Sequence, residues 1–220
     1  MASVAIDGPA GAGKSTIAKL VAKKLNAVYV DTGAMYRAIA IYFIRNGLDP
    51  EIPEQVKQAV ADLEVTISYE AGAQQVWLNG ENVTPFLRTE EVGNMASKSS
   101  AKQPVRDKLL QLQRDMAANQ TVVMDGRDIG TNVLPNAEVK IYLTASSAER
   151  AKRRYNELME KGEACDIHKI EEDIIKRDEQ DMNRAIAPLK QAKDAFYLDS
   201  SDLTIDEVVD LILSKCKGKL

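Results

Sequence analysis

Short apolar runs alternate with segments of helical periodicity along most of the chain. Residues 4–6 and 28–30 predict two buried strands, and the segment 14–25 between them carries apolar side chains at helical spacing. A further helix is predicted from Thr32, whose hydroxyl can cap it, to about Arg45. Strands that alternate with helices through short connections favour a parallel sheet with helices on both faces.

The same alternation returns in the second half of the sequence. Strands are predicted at 121–124, 139–143 and 196–198. The helices expected there lie at about 89–100, 104–118, 146–162, 167–183 and 204–215. The helices at 146–162 and 167–183 are strongly charged and adjacent, so they predict a helical hairpin whose first arm ends at Gly162.

The segment between residues 64 and 79 does not follow this alternation of strands and helices. Residues 64–69 and 75–79 read as strands, separated by Gly72 and followed by Asn79-Gly80. That turn chemistry predicts a small antiparallel meander, which we interpret as an insertion. The predicted fold class is therefore α/β: a parallel sheet flanked by helices, with an inserted small antiparallel sheet.

Composition narrows the possible classes of protein. With 45% hydrophobic and 28% charged residues in 220, the chain can bury a core, which excludes a disordered or fibrous protein. The net charge of −4 argues against bulk binding of nucleic acid. Two distant cysteines, Cys165 and Cys216, and one histidine are too few for a disulfide framework or a zinc site. We expect reduced thiols, no membrane span and no signal peptide, hence a cytoplasmic protein.

The segment 8–15 carries the clearest chemical signal. It reads Gly-Pro-Ala-Gly-Ala-Gly-Lys-Ser, which fits G-x-x-x-x-G-K-[ST], and it lies between a predicted strand and a predicted helix. Such a loop wraps a phosphate with backbone N–H groups at a helix N-terminus. Lys14 is expected to reach the β- and γ-phosphates, and Ser15 to bind Mg²⁺. The predicted ATP-binding residues of the loop are Gly8, Pro9, Ala10, Gly11, Ala12, Gly13, Lys14, Ser15 and Thr16.

The sequence after the third core strand points to a second, anionic substrate. No Asn-Lys-x-Asp tetrapeptide follows the loop, so a GTPase is disfavoured. The strand at 121–124 instead ends in Asp125-Gly126-Arg127-Asp128, which mixes an arginine with acids, and Asp125 is placed for a water-mediated contact to Mg²⁺. Two classes remain: a small kinase, and a nucleotide-dependent switch or binding module that transfers nothing.

Eleven arginines support the kinase, because a guanidinium fork matches phosphate oxygens in a bidentate way. Several of them stand at polar junctions: Arg37, Arg106, Arg127, Arg150, Arg153, Arg154, Arg177 and Arg184.

Five motifs spread over nearly the whole chain carry a resemblance to a known family. They are Asp-Gly-Pro-Ala-Gly-Ala-Gly-Lys-Ser-Thr at 7–16, Asp-Thr-Gly-Ala-Met-Tyr-Arg at 31–37, Arg-Thr-Glu-Glu-Val at 88–92, Asp-Gly-Arg-Asp-Ile-Gly-Thr at 125–131 and Asp-Met-Asn-Arg-Ala-Ile-Ala-Pro-Leu at 181–189. With them the sequence resembles the bacterial cytidylate kinases, the CMP and dCMP kinases of the nucleoside monophosphate kinase superfamily. The insertion resembles the enlarged monophosphate-binding domain of that group.

The resemblance implies how an acceptor nucleotide is held. Its phosphate is expected to bind Thr32, Arg37, Arg127 and Arg184. Thr32 replaces the serine of many relatives and keeps the hydroxyl; alternatively it only caps its helix. The implied cytosine-reading residues are Ser97, Arg106 and Asp128, with Ser97 otherwise a solvated helix serine. An acceptor at Asp128 suits the exocyclic amine of cytosine and mismatches uracil, which predicts CMP and dCMP over UMP.

The charged hairpin takes its expected roles from the same resemblance. Asp181 is expected to bind sugar hydroxyls with Arg177 nearby, although these residues and Arg184 can also form a plain salt bridge along one helix face. The short lid brings Arg150 to stack on adenine and Arg154 to contact the transferring phosphoryl group. The predicted catalytic residues are Lys14, Arg127, Arg154 and Arg184.

The expected organisation follows from these assignments. Residues 1–31, 101–145 and 186–220 form the core P-loop domain, 32–100 the monophosphate-binding domain, and 146–185 the lid with its following helix. We expect a monomer that uses ATP and CMP or dCMP as substrates with Mg²⁺, and that binds neither nucleic acid nor membranes. Kinases that act on UMP, AMP or a non-nucleotide alcohol are the alternatives.

Overall fold

The computed structural model describes all 220 residues, which form eight strands and eight α-helices. The strands are β1 (Ser3–Asp7), β2 (Val28–Asp31), β3 (Val65–Glu70), β4 (Ala73–Leu78), β5 (Glu81–Asn82), β6 (Val122–Gly126), β7 (Val139–Thr144) and β8 (Phe196–Asp199). The helices are α1 (Lys14–Leu25), α2 (Thr32–Arg45), α3 (Pro53–Asp62), α4 (Glu90–Ser99), α5 (Gln103–Asn119), α6 (Ser147–Glu160), α7 (Ile167–Asn183) and α8 (Ile205–Cys216).

A five-stranded parallel sheet with the order β2-β6-β1-β7-β8 forms the centre of the molecule. Every residue of β6 is buried, because helices cover both faces of the sheet. In a parallel sheet the carboxyl ends of all strands meet at one edge. The residues that end β1, β2 and β6, which are Asp7, Asp31 and Gly126, therefore lie along the edge where α1 begins.

The insertion is a three-stranded antiparallel sheet, β3-β4-β5, as the turn residues predict. Ala71 and Gly72 connect its first hairpin with φ angles of 49° and 78°, the left-handed values that a tight two-residue hairpin needs. This sheet also covers the free edge of β2. The Gln74 amide accepts a hydrogen bond from the Asp31 N–H (2.9 Å) and donates one to the Asp31 carbonyl (3.1 Å).

Two hydrophobic clusters form the core, one on each side of the parallel sheet. The larger one packs α2, α4, α5 and the small sheet against residues such as Val30 and Met124. The smaller one packs α1 and α8 against residues such as Val123 and Ile141. Successive strand residues contribute to opposite clusters because side chains alternate across a sheet. The parallel sheet and the small sheet thereby share one continuous core.

Most element bounds agree with the sequence pattern to within two residues. The pattern set no bounds for the short strand β5, for the 3-10 turn Thr84–Phe86 or for the two elements described next. Helix α3 was not predicted, since its sequence is mostly polar and only Val56 and Ala59 are buried. Residues Ile129–Val133 form a single π-helical turn after β6, where no element was expected. Single π turns are rare and occur often at functional sites, so this one draws attention to the carboxyl end of β6.

Both cysteines are free thiols in the structure, with Cys216 buried and Cys165 half-buried. No helix combines the length and the apolar composition that crossing a bilayer requires.

Candidate active site

The loop between β1 and α1 has the shape of a phosphate cradle. Gly11 and Gly13 have φ angles of 73° and 80°, and Gly13 precedes the first residue of α1. The first N–H groups of a helix have no partner within it, so those of Lys14, Ser15 and Thr16 are available to an anion. The Lys14 ammonium group donates to the Pro9 carbonyl at 2.7 Å and is buried. The loop thus presents backbone donors and one enclosed cation.

The charge of Lys14 is set by its surroundings. Burial holds the pKa of Lys14 well below its usual value, and the neighbouring guanidinium of Arg127 lowers it further. The carboxylates of Asp125, Asp181 and Asp7 act in the opposite direction. An incoming phosphate would therefore stabilise the protonated form of Lys14.

Ser15 and Asp125 provide oxygen ligands at the foot of the loop. The Ser15 hydroxyl donates to Asp125 Oδ2 at 3.1 Å, and the Tyr29 hydroxyl donates to Asp125 Oδ1 at 2.9 Å. Burial raises the pKa of Asp125 to about 6, and repulsion from the Asp31 carboxylate contributes in the same direction. No group of three or more acidic, histidine or cysteine residues is arranged to hold a metal. One hydroxyl and one carboxylate fit Mg²⁺ that arrives with a triphosphate, because this ion takes few protein ligands in such sites.

Four arginines gather beyond the loop, and we call them the arginine cluster: Arg37, Arg88, Arg127 and Arg177. Burial lowers the pKa of Arg37 to about 10, and repulsion from Arg88 contributes next. Burial lowers the pKa of Arg177 too, followed by repulsion from Arg127. The buried Nε of Arg177 has no hydrogen-bond partner. Arg37, Arg127 and Arg177 are half-buried and Arg88 is exposed. Like charges this close together, with one buried donor unpaired, have the features expected of an anion-binding site.

Asp181 joins the arginine cluster to Arg184. Arg127 Nε donates to Asp181 Oδ2 at 2.9 Å, and Arg184 Nη1 lies 3.9 Å from Asp181 Oδ1. Burial works to raise the pKa of Asp181, but Arg127 and then Arg184 hold it below its usual value. Helix α7 ends at Asn183, so Arg184 lies one residue beyond it in an extended conformation. Of the alternative salt bridge, only the contact between Asp181 and Arg184 is present; Arg177 takes no part in it, and Asp181 pairs with Arg127 instead.

The predicted base-reading residues Arg106 and Asp128 form a buried ion pair. Arg106 also donates to the Ser100 carbonyl at 3.3 Å, and its guanidinium lies 5.4 Å from the centre of the Tyr36 ring. A cavity of about 270 Å³ opens beside Arg106 and Asn132. The donor Arg106 therefore lines the cavity, while its acceptor partner Asp128 is buried next to Arg106 and does not line it.

Ser97 and Asn132 complete the surroundings of this pair. The Asn132 amide donates to Asp128 Oδ2 at 3.1 Å, while Arg184 Nη2 approaches Asp128 Oδ1 at 3.4 Å. Ser97 is half-buried near the end of α4, where its carbonyl accepts from the Ser100 hydroxyl at 3.3 Å. The Ser97 hydroxyl makes no hydrogen bond, so the structure leaves its predicted role a prediction.

The predicted helix cap at Thr32 is wrong. The cap is Asp31, whose carboxylate accepts from the Ala34 N–H at 2.9 Å. Thr32 is the first residue of α2, and its buried hydroxyl donates to the Asp125 carbonyl at 2.8 Å. Thr32 therefore stays at the carboxyl end of β6, close to the proposed metal ligand and the start of the Asp125–Asp128 segment.

The two lid arginines make contacts within the protein that the sequence did not predict. Arg150 is buried, and its guanidinium is bonded to the phosphate loop and to Asp178 (2.6 Å), so the expected stacking on adenine does not agree with this arrangement. Arg154 is 44% exposed and pairs with Glu157 at 2.9 Å. Its predicted contact to the transferred group stays a prediction, because Arg154 bonds to no other predicted site residue here.

Sequence reasoning missed several residues that the structure brings to the site. Arg88 pairs with Asp31 at 2.6 Å, and Asp178 contacts the phosphate loop. Arg88 is the first residue of the motif at 88–92, and that position could have marked it as a site residue. Asp178 stands in a run of charged helix residues that does not distinguish it from solvated neighbours. Its importance becomes visible only when α7 is packed against the loop.

Asp7 gives the folded protein a pH dependence. Its buried carboxylate accepts from the N–H groups of Ile129 (2.7 Å) and Gly130 (2.8 Å). Burial nevertheless raises the pKa of Asp7 to about 6. The folded state therefore keeps this proton in a range where the unfolded chain has lost it. The contribution to the free energy of unfolding is fully present below about pH 4 and is lost as the pH rises through about 6.

We expect the protein to gain stability relative to an Asp7→Asn variant as the pH falls from 7 to 4. Chemical denaturation of both proteins at several pH values measures this difference, and the comparison cancels the other titrating groups. A difference in unfolding free energy that does not change over this range would contradict the assignment.

Comparison with known proteins agrees with the fold and extends the resemblance. The family model described as cytidylate kinase matches residues 4–218. A cytidylate kinase from Caldicellulosiruptor saccharolyticus is 48% identical over 211 residues, covering 96% of this chain and 93% of that protein. One from Thermosipho melanesiensis is 47% identical over 216 residues, covering 98% and 97%.

Among solved structures, an uncharacterized protein from Eubacterium ventriosum superposes with a TM-score of 0.54 at 12% identity, covering 99% of each chain. That likeness concerns the fold alone. The sequence relatives cover almost the full length at close to half identity, and the matched region contains the phosphate loop, the arginine cluster and the Arg106–Asp128 pair. The chain therefore belongs to the cytidylate kinase family.

Proposed function

We propose that this protein transfers the γ-phosphoryl group of ATP to CMP or dCMP, giving ADP and CDP or dCDP. The observation that carries the proposal is the arginine cluster, whose Arg127 also lowers the pKa of Lys14 in the phosphate loop. One guanidinium would thus serve two phosphate sites. A protein that only bound a triphosphate would have no use for the second site, and the family assignment supports the kinase.

The donor and the metal would occupy the loop side. ATP lies with its phosphates on the N–H groups at the start of α1, and Lys14 contacts the β- and γ-phosphates. Ser15 would hold Mg²⁺ directly, and Asp125 through water. Bound there, Mg²⁺ neutralises charge on the phosphate oxygens and fixes their orientation.

The acceptor phosphate would bind Thr32, Arg37, Arg127 and Arg184 on the opposite side. Its oxygen attacks the γ-phosphorus in line, while the bond to the β-phosphate oxygen breaks and ADP leaves. The attacking oxygen is already anionic at neutral pH, so no general base is required. The protein contributes by aligning the two phosphates and by neutralising the charge that spreads over the transferred group, with Arg127 central.

Cytosine recognition would rest on the buried ion pair. Asp128 accepts a hydrogen bond from the exocyclic amine, while Arg106 and Ser97 donate to N3 and O2. Uracil carries a carbonyl in place of that amine, so two acceptors would face each other in a buried place. Asp181 and Arg177 would bind the sugar. These contacts favour CMP and dCMP over UMP.

We further propose the domain division given by the sequence: residues 1–31, 101–145 and 186–220 as core, 32–100 as the monophosphate-binding domain and 146–185 as the lid region. Closure of the outer domains would exclude water, which competes as an acceptor. We also propose that the enzyme acts as a monomer in the cytoplasm, a reducing compartment in which its free thiols persist.

A panel of acceptors tests the proposed function. ADP release is measured with MgATP and, in turn, CMP, dCMP, UMP, AMP and shikimate. We expect fast release with CMP and dCMP and slower release with UMP. Transfer to AMP or shikimate with none to CMP would contradict CMP as the acceptor. Nucleotide hydrolysis at a rate that no acceptor changes would favour a nucleotide-dependent switch over a kinase.

The variant Asp128→Asn tests cytosine reading. It removes the carboxylate between Arg106 and Arg184, and the new amide can donate to the uracil carbonyl. We expect kcat/KM for CMP to fall by about 10- to 100-fold, as for the loss of a charged hydrogen bond, while that for UMP falls less.

Asp107→Asn is the matched control for Asp128→Asn. Asp107 lines the cavity beside Arg106 but is exposed and bonds only to Gln103 (2.6 Å). Its variant should keep the preference for CMP. An unchanged ratio of CMP to UMP activity in folded Asp128→Asn protein would exclude Asp128 as the base reader.

A further inference from the structure

Side chains from two helices hold the phosphate loop at Ala10, which we call the crest of the loop. At Ala10, Arg150 Nη1 donates to the carbonyl at 2.8 Å, and the N–H donates to Asp178 Oδ1 at 3.2 Å. Arg150 comes from α6 and Asp178 from α7, about 140 and 168 residues further along the chain. Both polar atoms of a single loop residue therefore have a side-chain partner, which fixes its two peptide planes against rotation.

The two holding side chains are themselves immobilised. Arg150 and Asp178 are 2.6 Å apart, and each side chain is only 7% exposed. Arg150 Nε also donates to the Ala145 carbonyl at 2.9 Å, directly after β7. These hydrogen bonds hold the ion pair in one geometry, and removing either partner leaves an uncompensated buried charge.

The phosphate loop passes close to α6 at Gly11 as well as at Ala10. A Cβ atom added at Gly11 would lie in ordinary van der Waals contact with the Arg150 Cβ, at 3.5 Å. Meanwhile the Lys14 ammonium binds the Pro9 carbonyl from the inner side. The crest is thus supported on both sides, by Lys14 within the cradle and by the Arg150–Asp178 pair behind it.

Helix α7 carries this support towards the acceptor side. Asp181 follows Asp178 by one turn and binds Arg127 at 2.9 Å. One helix face therefore touches the crest of the phosphate loop and, one turn later, the arginine cluster.

We propose that Arg150 and Asp178 are positioning residues that set the shape of the phosphate loop before a triphosphate arrives. This inference extends the proposed kinase function and rests on it, because the purpose assigned to the pair is to shape the loop for a triphosphate. A cradle that already has the right shape binds phosphates without a further ordering cost. Through the loop, the pair affects binding of the polyphosphate chain whatever base the nucleotide carries, and it does not contact adenine.

Binding experiments without any acceptor test this role. Wild-type protein and the variants Arg150→Ala, Asp178→Asn and the double variant are titrated calorimetrically with MgATP and with magnesium tripolyphosphate. Each single variant should lose about tenfold in affinity for both ligands, the size expected when a charged hydrogen bond is lost. The double variant should lose no more than the weaker single variant, because the two residues act as a unit.

Two further variants separate positioning from general damage. Arg153→Ala is the matched control: Arg153 lies on the same helix, binds the Ser200 carbonyl at 2.7 Å and does not touch the loop. It should keep wild-type affinity for both ligands even if its unfolding temperature falls. Arg150→Lys keeps the charge for Asp178 but cannot reach both carbonyls, so it should recover part of the affinity.

Several outcomes would overturn the proposal. Wild-type affinity for tripolyphosphate in folded Asp178→Asn protein would do so, and this isosteric variant remains informative if Arg150→Ala does not fold. A loss for MgATP but not for tripolyphosphate in Arg150→Ala would show that Arg150 stacks on adenine instead. Since no acceptor is present, failure to phosphorylate CMP would refute the proposed function and leave these results unaffected.

Discussion

Replacing Arg127 with alanine is expected to lower kcat for CMP by about a thousandfold, the effect of removing an arginine that neutralises a transferring phosphoryl group. Arg127 is half-buried, and its Nε is held by Asp181 at 2.9 Å. Burial works to lower the pKa of Arg127, but Asp181 raises it overall, so the side chain stays charged. This charge lowers the pKa of both Lys14 and Arg177.

The reason for so large an effect is that Arg127 would serve both phosphate sites. Charge spreads over the transferred group in the transition state, and a fixed cation in a site shielded from water stabilises it strongly. Removal also leaves Asp181 with only Arg184 as a close partner, which should weaken sugar binding and raise KM for CMP. Steady-state kinetics with both substrates varied measures the two effects separately.

Controls for Arg127→Ala use residues of the same type. Arg45→Ala removes an exposed arginine that pairs with Glu81 at 2.6 Å and should leave kcat unchanged. Arg127→Lys keeps the charge without the bidentate fork and should recover part of the activity. Near-normal turnover by a folded Arg127→Ala protein would remove Arg127 from the proposed mechanism.

Replacing Gly8 with alanine is expected to prevent stable folding. A Cβ atom at this position would lie 1.9 Å from the Leu143 carbonyl oxygen, which is closer than any real contact of this kind. The obstacle is the backbone of β7, paired with β1 in the central sheet, so no side-chain movement can relieve it. The cost should exceed about 4 kcal/mol, which is a large part of the stability of a typical domain.

Gly72→Ala is the matched control, because Gly72 also has positive φ but has no atom near its missing Cβ. The variant should fold and lose only about 1–2 kcal/mol, the cost of a left-handed conformation for a non-glycine residue. Thermal unfolding followed by circular dichroism compares the two variants. A Gly8→Ala protein that unfolds near the wild-type temperature would show that β1 and β7 can move apart.

The periodic pattern was sufficient to predict most of the fold. Apolar runs at 4–6 and 121–124 could only be buried strands, and the glycine loop between β1 and α1 has a motif whose geometry is local. Where the pattern failed, the cause was weak periodicity. Helix α3 buries only Val56 and Ala59, and its polar sequence is compatible with a loop.

The site was predicted less completely than the fold, because site residues differ in how local their partners are. Lys14 and Ser15 belong to the motif of the phosphate loop, so the local sequence was enough to predict their position at the start of α1. Thr32 and Arg150 have partners more than ninety residues away. The local pattern suggested a helix cap for Thr32, and the family resemblance implied a lid contact for Arg150. The structure gives both residues other hydrogen bonds.

The sequence by itself determined the strand–loop–helix cradle, the order of elements and, through motifs, the family of the chain. Those features depend on local periodicity and on backbone requirements that a few neighbouring residues satisfy. Only the tertiary structure decided which charges face one another: Arg106 with Asp128, Arg127 with Asp181, and Arg150 with Asp178. Such pairs form where the carboxyl ends of strands and the side of α7 converge, and packing of the whole chain sets that convergence.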